Sequence, residues 1–283
     1  MGNKTPEVLI QKIIAFIEKE RELYGDFTIK MPEPGSESKT IFRQQIPKKQ
    51  SIAEEASESS PITVNREIMN PEPTDSQETV SDKHAVHEVY SKLDNCSNLE
   101  ELEQLCKEAD VLRTDMEGTR LVFGTGNPDA DLMLIGEAPG SEEDKQGEPF
   151  VGAAGKLLNK ILAAIDLKRE DVYIANILKH RPPNNRDPLP EERERSLPFL
   201  LKQIELVNPK LILALGKVSA QTLLNSNESL GRMRKKFHSF MDQYELMATY
   251  HPAALLRYDK WKRPTWEDVQ MLRKRYDELG GKP

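Results

Sequence analysis

The sequence predicts a three-layer α/β/α domain on a central, mainly parallel four-stranded sheet. Short apolar runs recur along the second half of the chain, and a helical pattern follows most of them. This alternation favours parallel strands, because each helix returns the chain to the same end of the sheet. A shorter strand, Val122 to Gly124, precedes a turn. The four predicted core strands are Leu132–Ile135, Asp171–Asn176, Leu211–Leu215 and Leu246–Tyr250.

Helices are predicted around these strands from their apolar spacing and first-turn chemistry. Gly155 to Ile165 follows the first strand, and Val218 to Leu224 follows the third. Pro190 to Val207 opens with Pro-Glu-Glu, and proline and acidic side chains suit the first turn of a helix. Leu99 to Leu112 precedes the sheet, and Thr265 to Leu279 is the final helix. We expect helices on both faces of the sheet.

The composition changes twice ahead of this domain. Residues 1–30 contain an amphipathic helix from Val8 to Tyr24, with apolar residues at helical spacing. Residues 31–83 are rich in Pro, Ser, Glu and Thr without periodicity, which predicts a disordered linker. The predicted domain covers residues 84–283. We expect the N-terminal helix to dock on this domain or on a protein partner.

The net charge of −7 is unevenly distributed along the chain. Residues 1–90 carry 11 basic and 16 acidic residues, whereas the remainder carries 29 basic and 31 acidic residues. The predicted domain is therefore nearly neutral, and local basic patches on such a domain still contact nucleic acid. No apolar run approaches the roughly 20 residues of a membrane span, and no signal peptide is visible. We expect a cytoplasmic monomer.

Polar residues stand at the ends of three predicted strands. Glu137 follows the first strand within Gly-Glu-Ala-Pro-Gly, and Asn176 ends the second. His251 follows the fourth and opens His-Pro-Ala-Ala-Leu-Leu-Arg. In open α/β sheets, ligands bind beyond the carboxyl ends of the strands. These three side chains are therefore expected to meet at one site.

Four motifs resemble, in family order, those of the family 4 uracil-DNA glycosylases. They are Gly-Glu-Ala-Pro-Gly, Pro-Phe-Val-Gly-Ala-Ala-Gly, Asn-Ile-Leu-Lys-His-Arg-Pro-Pro-Asn-Asn-Arg and His-Pro-Ala-Ala-Leu. The likeness runs from about Val122 to Asp277, and ordered motifs are more specific than any one alone. The resemblance implies a monofunctional enzyme that flips uracil out of DNA and hydrolyses its glycosidic bond in base-excision repair.

The resemblance implies catalytic roles for three residues. Glu137 matches the carboxylate that orients or activates water beside the cationic sugar, a role that suits a negative charge. His251 matches the histidine that donates to uracil O2, for which a neutral imidazole suffices. Asn185 matches an asparagine that assists water placement, although a loop asparagine needs no such role.

The same resemblance implies a uracil-binding set. Asn176 matches the residue that reads the uracil edge, since one carboxamide both donates to O4 and accepts from N3–H. Cytosine reverses both positions, so it would leave buried polar groups unpaired. Phe150 matches the aromatic that stacks on the flipped base. Gly136, Ala138 and His251 complete the predicted set.

Contacts with uracil-containing DNA are expected from the last third of the chain. Leu255 matches the wedge that fills the gap left by the flipped base; the alternative is a core leucine. Arg232, Arg234 and Arg257 are candidate phosphate contacts, because basic side chains neutralise the DNA backbone. Solvated surface charge is the alternative for these arginines.

The chain departs from the family at one site. Family 4 enzymes carry a four-iron–four-sulfur cluster held by four cysteines, whereas His180 and Ser196 stand at two of those positions here. Upstream, Cys106 is the one plausible thiolate, and Cys96 lies outside the expected spacing. Such a cluster requires about four soft ligands. We therefore predict that the cluster is absent and that no metal or other cofactor is bound.

Three other functions compete with uracil excision. One is a catalytically silent protein that binds DNA or a partner. Another is covalent capture of the abasic sugar through a loop histidine, as in a related group of uracil-binding proteins, with His180 as the candidate. The basic insertion of that group is missing around Arg181 to Pro188, which favours a turnover enzyme. The third is a glycosylase for another deaminated base, such as hypoxanthine.

Overall fold

A six-stranded sheet forms the centre of the described chain, in a computed structural model that describes residues 89–282. In chain order, the strands are β1 Thr125–Gly126, β2 Leu132–Gly136, β3 Tyr173–Asn176, β4 Leu211–Leu215, β5 Phe237–Phe240 and β6 Tyr244–Thr249. Their order across the sheet is β1-β3-β2-β4-β6-β5. The inner four are parallel, and β1 and β5 pair antiparallel at the two edges.

The four inner strands confirm the four predicted core strands. The predicted sheet was wrong in its width, because it lacked the two edge strands β1 and β5. β1 has only two residues, and it begins one residue after the strand expected at Val122 to Gly124. β5 has exposed and half-buried residues instead of an apolar run. Edge strands of this kind lack the continuous apolar pattern of strands buried on both faces, so the sequence does not reveal them.

Burial explains why the central strands are uniformly apolar. Every residue of β2, β3 and β4 is buried, and parallel strands covered on both faces need no polar alternation. The register pairs Leu134 with both Ile174 and Leu213. It also places Gly136 beside Asn176 at the carboxyl edge, where the chain leaves both strands.

Helices separate the four inner strands in the order that the sequence predicts. In chain order they are α1 Leu99–Glu108, α2 Ser141–Gln146, α3 Ala153–Ala163, α4 Pro190–Val207, α5 Lys217–Leu224, α6 Leu230–Met233, α7 Pro252–Arg257 and α8 Lys262–Glu278. Residues 89–93 are also helical. The predicted bounds of α4 are confirmed, and α3 and α8 each begin earlier than expected. The short α2, α6 and α7 were not predicted, because so few residues show no helical period.

Two apolar clusters show that helices cover both faces of the sheet, which confirms the three-layer prediction. One cluster joins the residues on one face of the sheet to α4 and α5, and it includes Met133, Ile212, Leu200 and Ala220. The other joins the opposite strand face to α3 and α8, and it includes Leu134, Leu213, Leu158 and Leu272. A third cluster packs α1 against Phe199 of α4. The sheet is thereby held rigidly from both sides.

The predicted N-terminal helix and linker lie outside the described residues, as does the predicted domain boundary at residue 84. Among residues 89–282, no helix is long and apolar enough to cross a membrane.

Candidate active site

The carboxyl ends of β2 and β3 create the first part of the site. A Cβ atom on Gly136 would lie 2.6 Å from Phe150 Cζ and would also collide with Asn176 Oδ1. Glycine therefore allows the Asn176 amide and the Phe150 ring to approach the same backbone. The pairing continues past the strands, because Ile177 N donates to Gly136 O at 3.0 Å.

Asn176 presents a buried acceptor. The residue is 2% exposed, and its Oδ1 has no hydrogen-bond partner among the described residues. A buried acceptor left unpaired costs about 1–3 kcal/mol. A ligand that brings an N–H to this oxygen recovers that energy, so the arrangement favours a planar ligand with a donor on its edge.

Phe150 is held in an unusual backbone conformation. Its φ of 55° lies in the left-handed region, which side chains larger than glycine rarely adopt. The Phe150 ring centroid lies 5.4 Å from that of His251, with the rings inclined at 31°. Gly155 is required beside it, because a Cβ there would collide with the Phe150 carbonyl. The strained turn thus fixes an aromatic wall between Gly136 and His251.

Two charged residues brace this turn, and no role was predicted for either. Arg169 donates to the carbonyls of Pro149 and Phe150 from a distant loop. Glu143 Oε1 accepts from Val151 N at 2.9 Å and from Gly152 N at 3.0 Å. Glu143 stands in an acidic run that signals a capping role, whereas nothing in the sequence links Arg169 to residues about twenty positions earlier. Together they hold the loop that carries Phe150.

His251 is fixed in one tautomer by its own helix. As the N-cap of α7, its Nδ1 accepts from Ala253 N at 3.1 Å, so the neutral ring carries its proton on Nε2. Burial lowers the pKa of His251 to about 4. Gly216, with φ of 98°, brings the end of β4 against this side chain. The ring is therefore a neutral Nε2–H donor across the physiological pH range.

Glu137 follows Gly136 and is half-buried. The pKa of its carboxyl is raised to about 7, mainly by burial and in addition by the negative charge of Asp187, while Arg193 acts in the opposite direction. Its backbone carbonyl accepts from Leu178 N at 3.0 Å, which fixes the main chain. A carboxyl group with a pKa near neutrality is suited to general-base catalysis.

Lys179 supports the site from below, and the sequence did not identify it. The side chain is fully buried, and its Nζ donates to Asn176 O at 3.1 Å, Phe123 O at 3.2 Å and Gln203 Oε1 at 2.6 Å. Burial lowers its pKa to about 8. Three acceptors match the three protons of an ammonium group. The charge therefore ties the backbone of Asn176 to α4 and to the loop ahead of β1.

The remaining predicted site residues on this side lie around these contacts. Ala138 is half-buried directly after Glu137. Asn185 is exposed, in a left-handed conformation with φ of 53°, and its Oδ1 accepts from Arg181 Nε at 2.8 Å. The described contacts therefore do not join Asn185 to the buried group around Asn176.

Two predicted DNA contacts are corrected by their burial. Arg234 is 7% exposed, and its guanidinium pairs with the buried carboxylate of Asp268 at 2.6 Å, so it stabilises the fold and faces no phosphate. Leu255 is 2% exposed and packs in the core, so it is not available as a wedge. Its neighbour Leu256 is 53% exposed on the same short helix. Arg232 and Arg257 are exposed, as a phosphate contact requires.

The residues predicted to stand at the family's cluster positions contact other groups of the fold. His180 is buried, with its Nδ1 3.0 Å from Thr119 Oγ1, and Ser196 Oγ donates to Ile177 O at 2.7 Å. Burial raises the pKa of the Cys106 thiol to about 12. Residues 89–282 contain no group of three or more His, Cys, Asp or Glu placed to hold a metal. This donor set does not fit an iron–sulfur cluster.

Comparison with known proteins agrees with the site. The family model described as "Uracil DNA glycosylase superfamily" matches residues 123–272. The type-4 uracil-DNA glycosylase of Archaeoglobus fulgidus is 42% identical over 184 residues, covering 62% of this chain and 89% of that protein. Those of Pyrobaculum aerophilum and Thermotoga maritima are 40% and 38% identical, covering 62% and 61% of this chain and 93% and 91% of their own lengths.

Proposed function

The chain belongs to the uracil-DNA glycosylase superfamily and is a DNA glycosylase, and on that premise we propose that it flips uracil out of DNA and excises it hydrolytically. The product would be an abasic site, the first intermediate of base-excision repair. The observation that carries this proposal is the buried, unpaired Oδ1 of Asn176 beside the Phe150 ring.

Base recognition follows from that acceptor. Uracil N3–H donates to Asn176 Oδ1, the amide group of the same side chain donates to uracil O4, and the Phe150 ring stacks on the base. Cytosine presents an acceptor at N3 and a donor at N4. It would therefore leave the buried acceptor unpaired and oppose two donors, which is the strongest basis for discrimination available to a polar pocket.

The chemical step breaks the C1′–N1 bond. The bonding electrons leave with uracil, whose O2 becomes negatively charged and accepts a hydrogen bond from His251 Nε2–H. The sugar becomes oxocarbenium-like, and in this proposal the Glu137 carboxylate stabilises the positive charge that develops there. Glu137 takes a proton from water as the water oxygen bonds to C1′. The products are an abasic sugar and the uracil anion, which is protonated on release.

The electrostatics of the two acid–base groups fit these roles. The raised pKa of Glu137 makes it a stronger base than an exposed carboxylate, while it is still ionised above about pH 7. The lowered pKa of His251 keeps it neutral, so it stabilises the anion as a donor without first needing a proton. Asn185 stands two residues before Asp187, and the charge of Asp187 acts on Glu137. The proposal therefore keeps the role of Asn185 in placing water.

DNA contacts are assigned to exposed side chains. Arg232 and Arg257 are retained as phosphate contacts. We assign the wedge to Leu256 in place of Leu255, since an apolar wedge must be accessible to enter the base stack. Capture of the abasic sugar by His180 is disfavoured, because that imidazole is 4% exposed and bonded to Thr119.

No iron–sulfur cluster takes part in the proposed reaction, because the donor set at its position does not fit one. Packing and hydrogen bonds would hold that region instead: Ser196 to Ile177 O, and His180 to Thr119. Full activity in the presence of chelator, with no stoichiometric iron in anaerobically prepared protein, is expected. About four irons per chain would contradict this part of the proposal.

The test of function is release of free uracil from a uracil-containing oligonucleotide. We expect an abasic site that breaks only on alkali treatment, because no lysine at the site is positioned as a Schiff-base nucleophile among the described residues. Strand scission without alkali would contradict the monofunctional assignment. Parallel substrates with hypoxanthine and normal bases test the alternative base, and binding without release would identify a silent protein.

A further inference from the structure

An aromatic cluster stands on the surface after α7 and has no part in the chemistry proposed above. Tyr250 and Trp261 stack with ring centroids 4.9 Å apart and an interplanar angle of 6°. Tyr258 adds a third ring, tilted 59° and 4.6 Å from Trp261. Tyr258 remains 49% exposed, so the cluster presents an aromatic surface to solvent on a rigid support.

Positive charge surrounds this surface. Lys260 Nζ lies 5.6 Å from the Trp261 ring centroid and 6.0 Å from that of Tyr258. Behind the cluster, Arg234 lies 4.2 Å over the Tyr250 ring and is anchored to Asp268. The nearby acidic Asp259 is already paired with Lys262 at 2.6 Å. The exposed aromatic face is therefore bordered by the Lys260 cation, which suits an anionic ligand with aromatic rings, while the Arg234–Asp268 pair supports the rings from behind.

The cluster lies close to the base pocket. His251 is the N-cap of α7, and Tyr258 is its C-cap. A helix of six residues spans about 9 Å, which corresponds to two or three nucleotide steps of roughly 3.4 Å along one strand. The charge of Arg257, at the end of α7, reaches His251 and opposes its protonation. The two surfaces are thus within the reach of one DNA strand.

We propose that Tyr258, supported by Trp261 and bordered by Lys260, is a stacking platform for a nucleobase of the uracil-bearing strand, a few nucleotides from the flipped uracil. The inference rests on the proposed function and extends it to the substrate around the uracil. Aromatic stacking of this kind tolerates any base, because every base has a π-face. The platform would therefore act with unpaired bases and favour single-stranded or opened DNA.

The test compares Tyr258→Ala with Tyr258→Phe and with Trp266→Ala. Trp266 is a matched control, since it is 42% exposed on α8 and is not part of the stack. We expect KM for a single-stranded uracil oligonucleotide to rise about 5-fold or more in Tyr258→Ala. Tyr258→Phe and Trp266→Ala should keep the unaltered KM. Inhibition by free uracil should be equal in all three variants, because free uracil fills only the base pocket.

A spectroscopic readout and a second variant separate stacking from a folding defect. A fluorescent adenine analogue placed about two or three nucleotides from the uracil should be quenched on binding to the unaltered chain and less quenched with Tyr258→Ala. Lys260→Gln, at an exposed position, should weaken binding with the rings intact. Equal KM and equal quenching for Tyr258→Ala and the unaltered chain would overturn the platform while uracil release continues.

Failure of the proposed function can be distinguished from failure of the stacking platform. If the unaltered chain releases no uracil, the glycosylase assignment fails, and the platform is then judged by binding of a uracil-free single-stranded oligonucleotide. Weaker binding by Tyr258→Ala than by Trp266→Ala would support the platform in that case. Equal binding by the two variants would overturn it.

Discussion

Two neighbouring regions of this protein treat their buried polar groups in opposite ways. At the proposed base pocket, Asn176 Oδ1 has no hydrogen-bond partner within residues 89–282, and Glu137 holds a carboxyl whose pKa is raised to about 7. At the predicted cluster position, the Ser196 hydroxyl and the His180 ring both have partners within the fold. The difference is consistent with the proposal: the Asn176 acceptor is left for a ligand to pair, whereas the Ser196 hydroxyl and the His180 Nδ1 already have partners within the fold.

Lys179 lies between the two regions, and its polar group, like those of Ser196 and His180, is paired within the fold. All of its ammonium donors meet acceptors in the fold, yet one of those acceptors is the backbone carbonyl of Asn176. The fully paired hydrogen bonds of Lys179 thus position Asn176, whose side-chain oxygen is unpaired among the described residues. Pre-organisation of this type means that the pocket does not need to rearrange when the base arrives. Changes in the pocket should therefore affect activity, and changes in the satisfied region should affect stability.

The largest effect is expected from Glu137→Gln. Loss of the general base should lower kcat by about 10²–10⁴-fold. Uracil release under single-turnover conditions measures this, and a near-normal rate would contradict the role of Glu137.

The same substitution should stabilise the folded protein at high pH. Burial raises the pKa of Glu137, so between pH 4.5 and about 7 the folded state binds more protons than the unfolded state, and stability falls as pH rises. Glutamine removes this loss. At pH 8, the free energy of unfolding should therefore increase by up to about 3 kcal/mol, and equal or lower stability of the variant would show that the carboxyl is well solvated.

His251→Ala comes next, with an expected loss of about 10²–10³-fold in kcat, the usual effect of removing one donor to a developing anion. The matched variant is His251→Phe, because it keeps a ring against Phe150 but lacks the Nε2–H donor. Both variants should be slow to a similar degree. Full activity of the phenylalanine variant would mean that His251 contributes packing alone.

The pH dependence of kcat/KM should have a single acidic limb. The active form of Glu137 is the carboxylate, so activity should fall about tenfold per pH unit below about pH 7 and level off just above it. His251 adds no limb in this range, because its pKa is lowered to about 4. Initial rates of uracil release should be measured between roughly pH 5 and 8. A second limb in that range would show that the His251 imidazole is protonated in the free enzyme.

The smallest effect on activity is expected from Ser196→Ala. Removal of the hydroxyl leaves the buried Ile177 carbonyl without this donor, so the free energy of unfolding should fall by about 1–3 kcal/mol. Below the unfolding temperature, kcat should remain unchanged. Ser219→Ala, which loses an equivalent bond to Ile135 O in the core, is the matched control for stability. A large loss of kcat in Ser196→Ala would remove the distinction between the two regions.

The sequence predicted the parallel core well because its strands are buried on both faces and leave a continuous apolar pattern. It predicted Asn176 and His251 as site residues because they stand at strand ends within specific motifs, and their roles remain predictions. It failed where exposure decides the role: Leu255 and Leu256 are adjacent leucines, and only packing shows that the first is buried. Arg234 was one basic residue among several, and its buried partner Asp268 is 34 positions away in the chain.

The central claim is that Asn176 reads the uracil edge, and the substitution Asn176→Asp tests it most directly. Uracil and cytosine release should be measured on otherwise identical single-stranded oligonucleotides with both proteins. The unaltered chain is expected to release uracil and not cytosine, and the aspartate variant, which lacks the donor to O4, should lose much of its preference for uracil. An unchanged preference in the aspartate variant would contradict the role of Asn176.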